Sequence, residues 1–219
     1  MSETLRVGGF TPFTATDYPG ALAAVVFCQG CPWRCRYCHN GDLLPARAPA
    51  RYEWGEIVGF LRQRRGLLDA VVFSGGEPTA QPALESAIGQ VRDLGFKVGL
   101  HTAGIYPRRL RRLVSQLDWV GLDIKALPEN YVAITGVRGS GDSAWESARI
   151  LAAAGLPMEV RLTRHPRITS AAELGQVRAR LRQLGILDLT VQDCDINHCL
   201  DDSLRQQLVE TAAFSVKSD

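Results

Sequence analysis

The chain has 219 residues, of which 46% are hydrophobic and 22% charged, ordinary values for a globular protein with one sizeable core. Its formal net charge of +2 gives no reason to expect nucleic acid or a membrane surface as a partner. No run approaches the roughly 18–20 apolar residues that cross a bilayer, and residues 1–10 show no secretory signal. We therefore expect a single domain over residues 1–219, with its core at about 20–195.

Short apolar runs alternate with segments of helical spacing along the chain. The runs predict six buried strands, at residues 21–27, 69–74, 96–100, 119–124, 158–163 and 187–191. Hydrophobic positions three and four residues apart predict six helices, at residues 53–64, 83–94, 107–117, 142–154, 171–184 and 201–213. Residues 11–20 are polar and contain Gly and Pro, so we interpret them as a lead-in to the first strand.

This alternation predicts an α/β fold with a parallel sheet and right-handed crossovers. The strands are continuous apolar runs, as expected when both faces of a sheet are covered. Six β/α units fit either a partial barrel or a doubly wound sheet, and periodicity does not choose between the two. In either case the carboxyl ends of the strands carry the functional site.

Polar and special residues follow every predicted strand. They lie at residues 28–31, 74–78, 101–104, 123–125, 161–164 and 192–195. Because the carboxyl ends of parallel strands share one edge of a sheet, we expect these residues to form a single site.

The loop after the first strand contains four of the six cysteines. Cys31, Cys35 and Cys38 have the spacing C-x3-C-x2-C, with Tyr37 before the last. Three thiolates leave a tetrahedral ion or an iron–sulfur cube one ligand short. A structural zinc site usually closes with a second cysteine pair, which this loop lacks, and Cys28 at a strand end is typical of a buried free thiol. We therefore favour an iron–sulfur cluster, in a protein of the reducing cytoplasm.

The cysteine triplet resembles the signature of the radical S-adenosylmethionine (SAM) superfamily. Residues 74–78, SGGEP, are similar to that superfamily's GGEP element in sequence and place. Residues 20–40, GALAAVVFCQGCPWRCRYCHN, most resemble the activating proteins of anaerobic ribonucleoside-triphosphate reductase, which are glycyl radical enzyme activases. Similar elements follow in the family's order, at residues 102–104, 122–125 and 135–137.

The resemblance implies a partial (β/α)6 TIM-type barrel with parallel strands, a radical SAM core. It implies a [4Fe–4S] cluster on Cys31, Cys35 and Cys38, whose open iron accepts SAM. The reduced cluster then cleaves SAM and releases a 5′-deoxyadenosyl radical, while the protein positions the cofactors.

Eight further residues are candidates for binding SAM or substrate. Gly75 and Gly76 allow backbone to approach a ligand, and Glu77 is expected to receive the methionyl ammonium by a charge-assisted hydrogen bond. The resemblance implies Tyr37 near the adenine. The remaining candidates, each with a structural role as the alternative, are His101, Asp123, Lys125 and Arg161. Related activases often carry an acidic residue where this chain has His101, which puts a cation beside SAM in doubt.

The resemblance implies that the protein generates a glycyl radical on a partner enzyme, anaerobic ribonucleoside-triphosphate reductase, with a flavodoxin- or ferredoxin-type electron donor. Residues 39–51 are too few for an inserted ferredoxin-like domain, so we expect one cluster. One alternative is a small-molecule radical SAM enzyme such as a 7-carboxy-7-deazaguanine synthase. Another is a non-catalytic iron–sulfur or zinc protein, against which the GGEP element counts. Cys194 and Cys199 have no assigned role. They are either a buried structural pair or thiols near a substrate entrance.

Overall fold

The computed structural model describes residues 4–205, which form one seven-stranded sheet with helices packed against it. The strands are β1 Val7–Thr14, β2 Ala23–Cys28, β3 Ala70–Gly75, β4 Lys97–Thr102, β5 Trp119–Asp123, β6 Met158–Arg164 and β7 Leu189–Asp193. The α-helices are α1 Trp54–Gln63, α2 Leu84–Asp93, α3 Pro107–Leu113, α4 Tyr131–Thr135, α5 Ser140–Ala154, α6 Ala171–Gln183 and α7 Asp202–Arg205. The end of the helix predicted at 201–213 lies outside the described residues.

The order of the strands identifies the architecture. They are hydrogen-bonded in chain order from β1 to β7, and β2 to β7 are parallel. A doubly wound sheet reverses its strand order at a switch point, so consecutive order excludes that alternative. Among the described residues no ladder joins β1 to β7, and the barrel is therefore partial and open. The predicted (β/α)6 partial barrel is confirmed.

The interpretation of residues 11–20 as a lead-in is wrong for their first part, because β1 occupies residues 7–14. This strand pairs antiparallel with β2 and adds an edge to the six parallel strands. Two adjacent glycines and Pro12 hid it from the sequence pattern. An edge strand tolerates such residues because one side of its backbone has no strand to hydrogen-bond. Phe13, which is 58% exposed, lies in this edge strand.

The two faces of the sheet bury different material. The outward face packs on the helices in one large apolar core. The concave face carries a smaller cluster of Tyr18, Ala23, Val25, Ala70, Val72 and Trp119. Because side chains alternate along a strand, residues two positions further on keep the same face. Ser74 and His101 thus lie on the concave side, towards the carboxyl edge.

None of the helices within residues 4–205 has both the length and the apolar composition to span a bilayer.

Candidate functional site

A cavity of about 310 Å³ opens at the carboxyl edge of the sheet. Its lining includes ten of the eleven predicted site residues, namely Cys31, Cys35, Cys38, Tyr37, Gly75, Gly76, His101, Asp123, Lys125 and Arg161. They come from the loop after β2, the turn after β3 and the ends of β4, β5 and β6. The cavity is also lined by Ser74, Thr163 and Gln192, which belong to the predicted strand-end segments but were not singled out as site residues. Their place on alternate positions of the strands is the signal that identifies them.

The helix α4, which was not predicted, supports the cysteine loop from behind. The backbone N–H of Arg34 donates to the carbonyl of Thr135 at 3.2 Å, and that of Arg36 to the carbonyl of Ile134 at 3.0 Å. The Trp33 ring packs edge-on against Tyr131, with centroids 5.9 Å apart. These contacts fix a loop that has no regular secondary structure of its own.

The spacing of the three thiols distinguishes between kinds of metal centre. Cys31, Cys35 and Cys38 are free thiols that line the cavity. Among the residues described, their three sulfurs do not all lie within 4.8 Å of one another. A tetrahedral zinc ion with Zn–S of about 2.3 Å holds its sulfurs about 3.8 Å apart. In an iron–sulfur cube each thiolate binds a different iron, so a cluster does not require the three sulfurs to lie as close together as a single zinc ion does.

Burial controls the ionisation of this loop. It raises the pKa of Cys31 to about 12 and also raises the pKa of Cys35. Both thiols are therefore protonated at neutral pH until a metal displaces the protons. Burial lowers the pKa of Lys125, but the neighbouring Cys35, Tyr37 and Asp123 raise it by more than burial lowers it. The pKa of Lys125 therefore lies well above its usual value. Lys125 thus remains a cation beside thiols that ionise when they bind metal.

Tyr37 carries an unpaired polar atom at this site. The ring is 4% exposed, and the Lys125 ammonium nitrogen lies 5.7 Å from its centroid. Its buried hydroxyl has no hydrogen-bond partner within residues 4–205. A buried hydroxyl without a partner is costly, so the position fits a residue that completes its hydrogen bonding with a bound group.

Asp123 and Arg161 form the charged pair of the cavity. They are register partners on β5 and β6, and Arg161 Nε lies 3.2 Å from Asp123 Oδ1. The Arg161 side chain is 17% exposed and that of Asp123 40% exposed. Asp123 and Arg161 thus form a cross-strand ion pair that lines the cavity.

Glu77 is the predicted site residue that does not line the cavity. Its fully buried carboxylate accepts hydrogen bonds from the Thr79 N–H and hydroxyl, at 3.1 and 2.5 Å. It also accepts from the Thr102 hydroxyl at 2.7 Å and the Ala103 N–H at 3.0 Å. Burial raises the pKa of Glu77, and these four donors oppose the rise. Glu77 thus lies behind a part of the cavity wall that Thr102 and Ala103 form, and its contact with the methionyl ammonium stays a prediction.

The structure gives a second reason for glycine at positions 75 and 76. A Cβ on Gly75, whose φ is 110°, would overlap the backbone of Cys28. A Cβ on Gly76 would overlap the carbonyls of Gly30 and Leu43. Both glycines are thus required by the protein's own backbone, although they still line the cavity. Cys28 itself packs in the helix-facing core and does not line the cavity.

His101 is a neutral, hydrogen-bonded residue of the cavity wall. Its Nε2 lies 3.2 Å from the Asp17 carbonyl and its Nδ1 lies 3.4 Å from the Ser74 hydroxyl. Burial lowers the pKa of His101 to about 4, and the Arg161 guanidinium lowers it further, against Asp123 and Asp17. Nε2 therefore carries the proton that is donated to Asp17, and Nδ1 is an acceptor.

The lowered pKa predicts that acid destabilises the apoprotein through His101. An unfolded histidine takes up a proton at about pH 6.5, whereas native His101 does so only near pH 4. The free energy of unfolding should fall as pH drops through this window, by up to about 3 kcal/mol, with no contribution above it. Urea denaturation of wild type and His101→Gln between pH 4 and 8 isolates this term. Parallel pH profiles for the two proteins would contradict the assignment.

Comparison with known proteins places this site in a family. The model of the radical SAM superfamily matches residues 25–171. A protein of Methanocaldococcus jannaschii, named for a proposed role as a glycyl-radical enzyme activating enzyme, is 31% identical over 141 residues, 62% of this chain and 57% of that protein. The pyruvate formate-lyase-activating enzyme of Clostridium pasteurianum is 31% identical over 137 residues, 60% of this chain and 57% of that enzyme.

A solved structure extends the comparison to the fold. Streptococcus suis SuiB bound to S-adenosylmethionine superposes with a TM-score of 0.61 at 15% identity, over 86% of this chain and 46% of SuiB. Identity this low shows the fold alone. The chain spans little more than half the length of the two curated relatives and less than half of SuiB.

Proposed function

The chain belongs to the radical SAM superfamily, and we propose that it cleaves SAM reductively and generates a glycyl radical on a partner enzyme. Members of this family use a [4Fe–4S] cluster and SAM. When bound and reduced by one electron, these cofactors supply a 5′-deoxyadenosyl radical, which takes a hydrogen atom from the target and leaves as 5′-deoxyadenosine. The observation that carries the proposal is the convergence of the cysteine loop, the glycine turn and four strand ends on one cavity.

Different residues of the cavity are assigned to different parts of the cofactors. We assign Cys31, Cys35 and Cys38 to the cluster. Lys125 offsets part of the negative charge of the three thiolates, because it is a cation at the buried side of the loop. The Tyr37 hydroxyl is available to a bound group, since no described residue satisfies it. Such buried, fixed polar groups bind a cofactor without reorganising and keep water away from the reactive centre.

The other wall of the cavity suits the polar parts of SAM. Asp123 and Arg161 offer an acceptor and a donor side by side, which matches an amino acid's ammonium and carboxylate or a ribose diol. Glu77 fixes the segment that carries Thr102 and Ala103, and so sets the position of backbone groups along this wall.

A macromolecular substrate is favoured by the open barrel. The described sheet ends at β1 on one side and at β7 on the other, without closing. An open side admits a peptide loop, whereas a closed barrel suits a small enclosed substrate. The two curated relatives carry the names of activating enzymes, one for a proposed role and the other for pyruvate formate-lyase. Within this class we propose anaerobic ribonucleoside-triphosphate reductase as the partner, from the resemblance of residues 20–40.

The proposal also includes an electron donor, which the family resemblance implies, and a cellular location. One electron per turnover comes from a reduced flavodoxin or ferredoxin. We propose that residues 1–219 work as one radical SAM domain, in the cytoplasm, where thiols stay reduced.

The expected result with a partner is a protein-bound glycyl radical. The reconstituted enzyme, SAM and a reductant are incubated anaerobically with the full-length reductase encoded in the same genome. We expect the electron paramagnetic resonance doublet of a glycyl radical and one 5′-deoxyadenosine per radical formed. The matched control is the reductase with its radical glycine replaced by alanine, which should give no doublet.

Other outcomes assign other substrates. A doublet on pyruvate formate-lyase alone would keep the activase function and replace the partner. Deoxyadenosine formation that rises with a small purine precursor, and with neither enzyme, would favour the small-molecule alternative. Absence of SAM cleavage by a protein with a full cluster would contradict the proposed function altogether.

A further inference from the structure

A second group of metal-binding side chains converges beside the cysteine loop. Cys194 Sγ lies 3.4 Å from Cys199 Sγ and 3.5 Å from His39 Nε2. All three ligand atoms lie within 4.8 Å of one another. His39 and Cys194 are 155 residues apart in the sequence, so the fold brings the group together.

The cysteine segment is held in place before any ligand binds. The backbone N–H of Cys194 donates to the carbonyl of Arg164 at 2.9 Å, as a continuation of the β6–β7 pairing. The side chain of Asp195 accepts from the Asn197 N–H at 3.1 Å and orders the turn between the cysteines. Beyond the turn, the Arg205 Nε donates to the carbonyl of Cys199 at 2.6 Å. Such preorganisation lowers the entropic cost of binding an ion.

The distances suit a tetrahedral ion. With Zn–S of about 2.3 Å and Zn–N of about 2.0 Å, tetrahedral angles place sulfur about 3.8 Å from sulfur and about 3.5 Å from nitrogen. The measured separations of 3.4 and 3.5 Å come close to these values. A disulfide would instead require its sulfurs about 2.05 Å apart and gives no reason for the histidine to join them.

We propose that His39, Cys194 and Cys199 bind one zinc ion, separate from the iron–sulfur cluster, with water as the fourth ligand. Both thiols lose a proton on binding, and the two protons are released to solvent. The two thiolates cancel the charge of Zn²⁺, so the site is neutral overall. Neutrality matters here because both cysteines are buried. Two sulfurs and an imidazole select zinc over magnesium or calcium.

The zinc ion would join two parts of the cavity wall. His39 directly follows the last cysteine of the triplet, and Cys194 lies two residues after Gln192. Both His39 and Gln192 line the cavity. The ion would thus fasten the segment after β7 to the cysteine loop. The inference does not rest on the proposed function, because it concerns a different set of ligands.

The test measures zinc directly in the cluster-loaded protein. After anaerobic reconstitution of iron and sulfide, one equivalent of Zn²⁺ is added and unbound metal is removed. Elemental analysis by inductively coupled plasma mass spectrometry should give one zinc per chain in addition to the iron of the cluster. Extended X-ray absorption fine structure at the zinc K-edge should show two sulfur ligands and two nitrogen or oxygen ligands. The filled cluster site keeps its three cysteines from competing for zinc.

Variants assign the ligands. His39→Ala should weaken zinc binding at least about 10-fold, as should Cys194→Ser. The matched control is His198→Ala, another exposed histidine in the turn between the cysteines, which should keep full zinc. Both histidine variants replace exposed side chains and should fold, which the melting temperature checks.

Three results would overturn the zinc site. The first is full zinc in His39→Ala, or equal loss in His198→Ala. The second is a Cys194–Cys199 disulfide in protein that was purified under reducing, anaerobic conditions. The third is a second set of about four irons that Cys194→Ser removes, which would make the pair ligands of an auxiliary cluster. Zinc content is independent of SAM cleavage, so failure here and failure of the proposed function are distinguishable.

Discussion

Replacing Cys35 by serine should remove the iron–sulfur cluster and stop SAM cleavage. Cys35 is one of the three cavity-wall thiols that we assign to the cluster, and we expect a cube that has lost one of its cysteine ligands to be lost during purification. We expect iron to fall from about four per chain to less than one. The rate of 5′-deoxyadenosine formation should fall by at least about 100-fold. Loss of a residue that only orients a metal ligand lowers activity by about 10- to 100-fold, and loss of a ligand itself should lower it more.

A matched variant separates loss of a ligand from loss of folding. Cys28→Ala also removes a buried thiol close to the loop, but Cys28 packs against the helices and does not line the cavity. It should keep its iron and cleave SAM. The measurements are the iron content, the electron paramagnetic resonance spectrum of the reduced cluster, and the amount of 5′-deoxyadenosine by chromatography. If Cys35→Ser keeps both iron and cleavage, the cluster assignment is wrong.

Replacing Glu77 by glutamine should destabilise the protein even when SAM is absent. The carboxylate accepts four hydrogen bonds, and the amide turns one acceptor oxygen into a donor. A donor would then face a donor in a site with no access to water. We expect the free energy of unfolding to fall by about 2–3 kcal/mol. The affinity for SAM should fall as well, because the segment at Thr102 and Ala103 loses its anchor.

The measurement is denaturant unfolding of the apoprotein, with SAM binding measured on cluster-loaded enzyme. Glu53→Gln makes the same chemical change at an exposed residue without a side-chain cap hydrogen bond, and should stay within about 0.5 kcal/mol of wild type. Direct contact between Glu77 and the methionyl ammonium would give another pattern. It predicts weaker SAM binding with no loss of stability in the absence of SAM.

The elements that the sequence predicts well are those whose signal is local. The strands β2 to β5 are largely buried apolar runs, and such runs leave a pattern that needs no knowledge of the fold. The strands β6 and β7 contain polar residues and are partly exposed, so the prediction of six buried strands is wrong for these two. β1 and α4 were missed for the opposite reason. β1 is an edge strand with glycines and a proline, and α4 has five residues, too few for a periodic pattern. Both depend on their neighbours for stability.

The cavity was predictable because strand ends converge. Cys31, Asp123 and Arg161 are far apart in sequence, yet each follows or ends a predicted strand. Parallel topology then places them at one edge. The role of Glu77 was not predictable in the same way. A carboxylate after a strand can face the cavity or turn into the protein, and only the positions of its four donors decide between the two.

By itself, the sequence determined the class of fold, the cysteine triplet and the family, since each is encoded in adjacent or regularly spaced residues. The tertiary structure decided three things that depend on distances between remote segments. It made the barrel open with an antiparallel edge, turned Glu77 inward, and brought His39 to Cys194 and Cys199. Packing of remote segments sets such distances, and no local pattern in the chain records them.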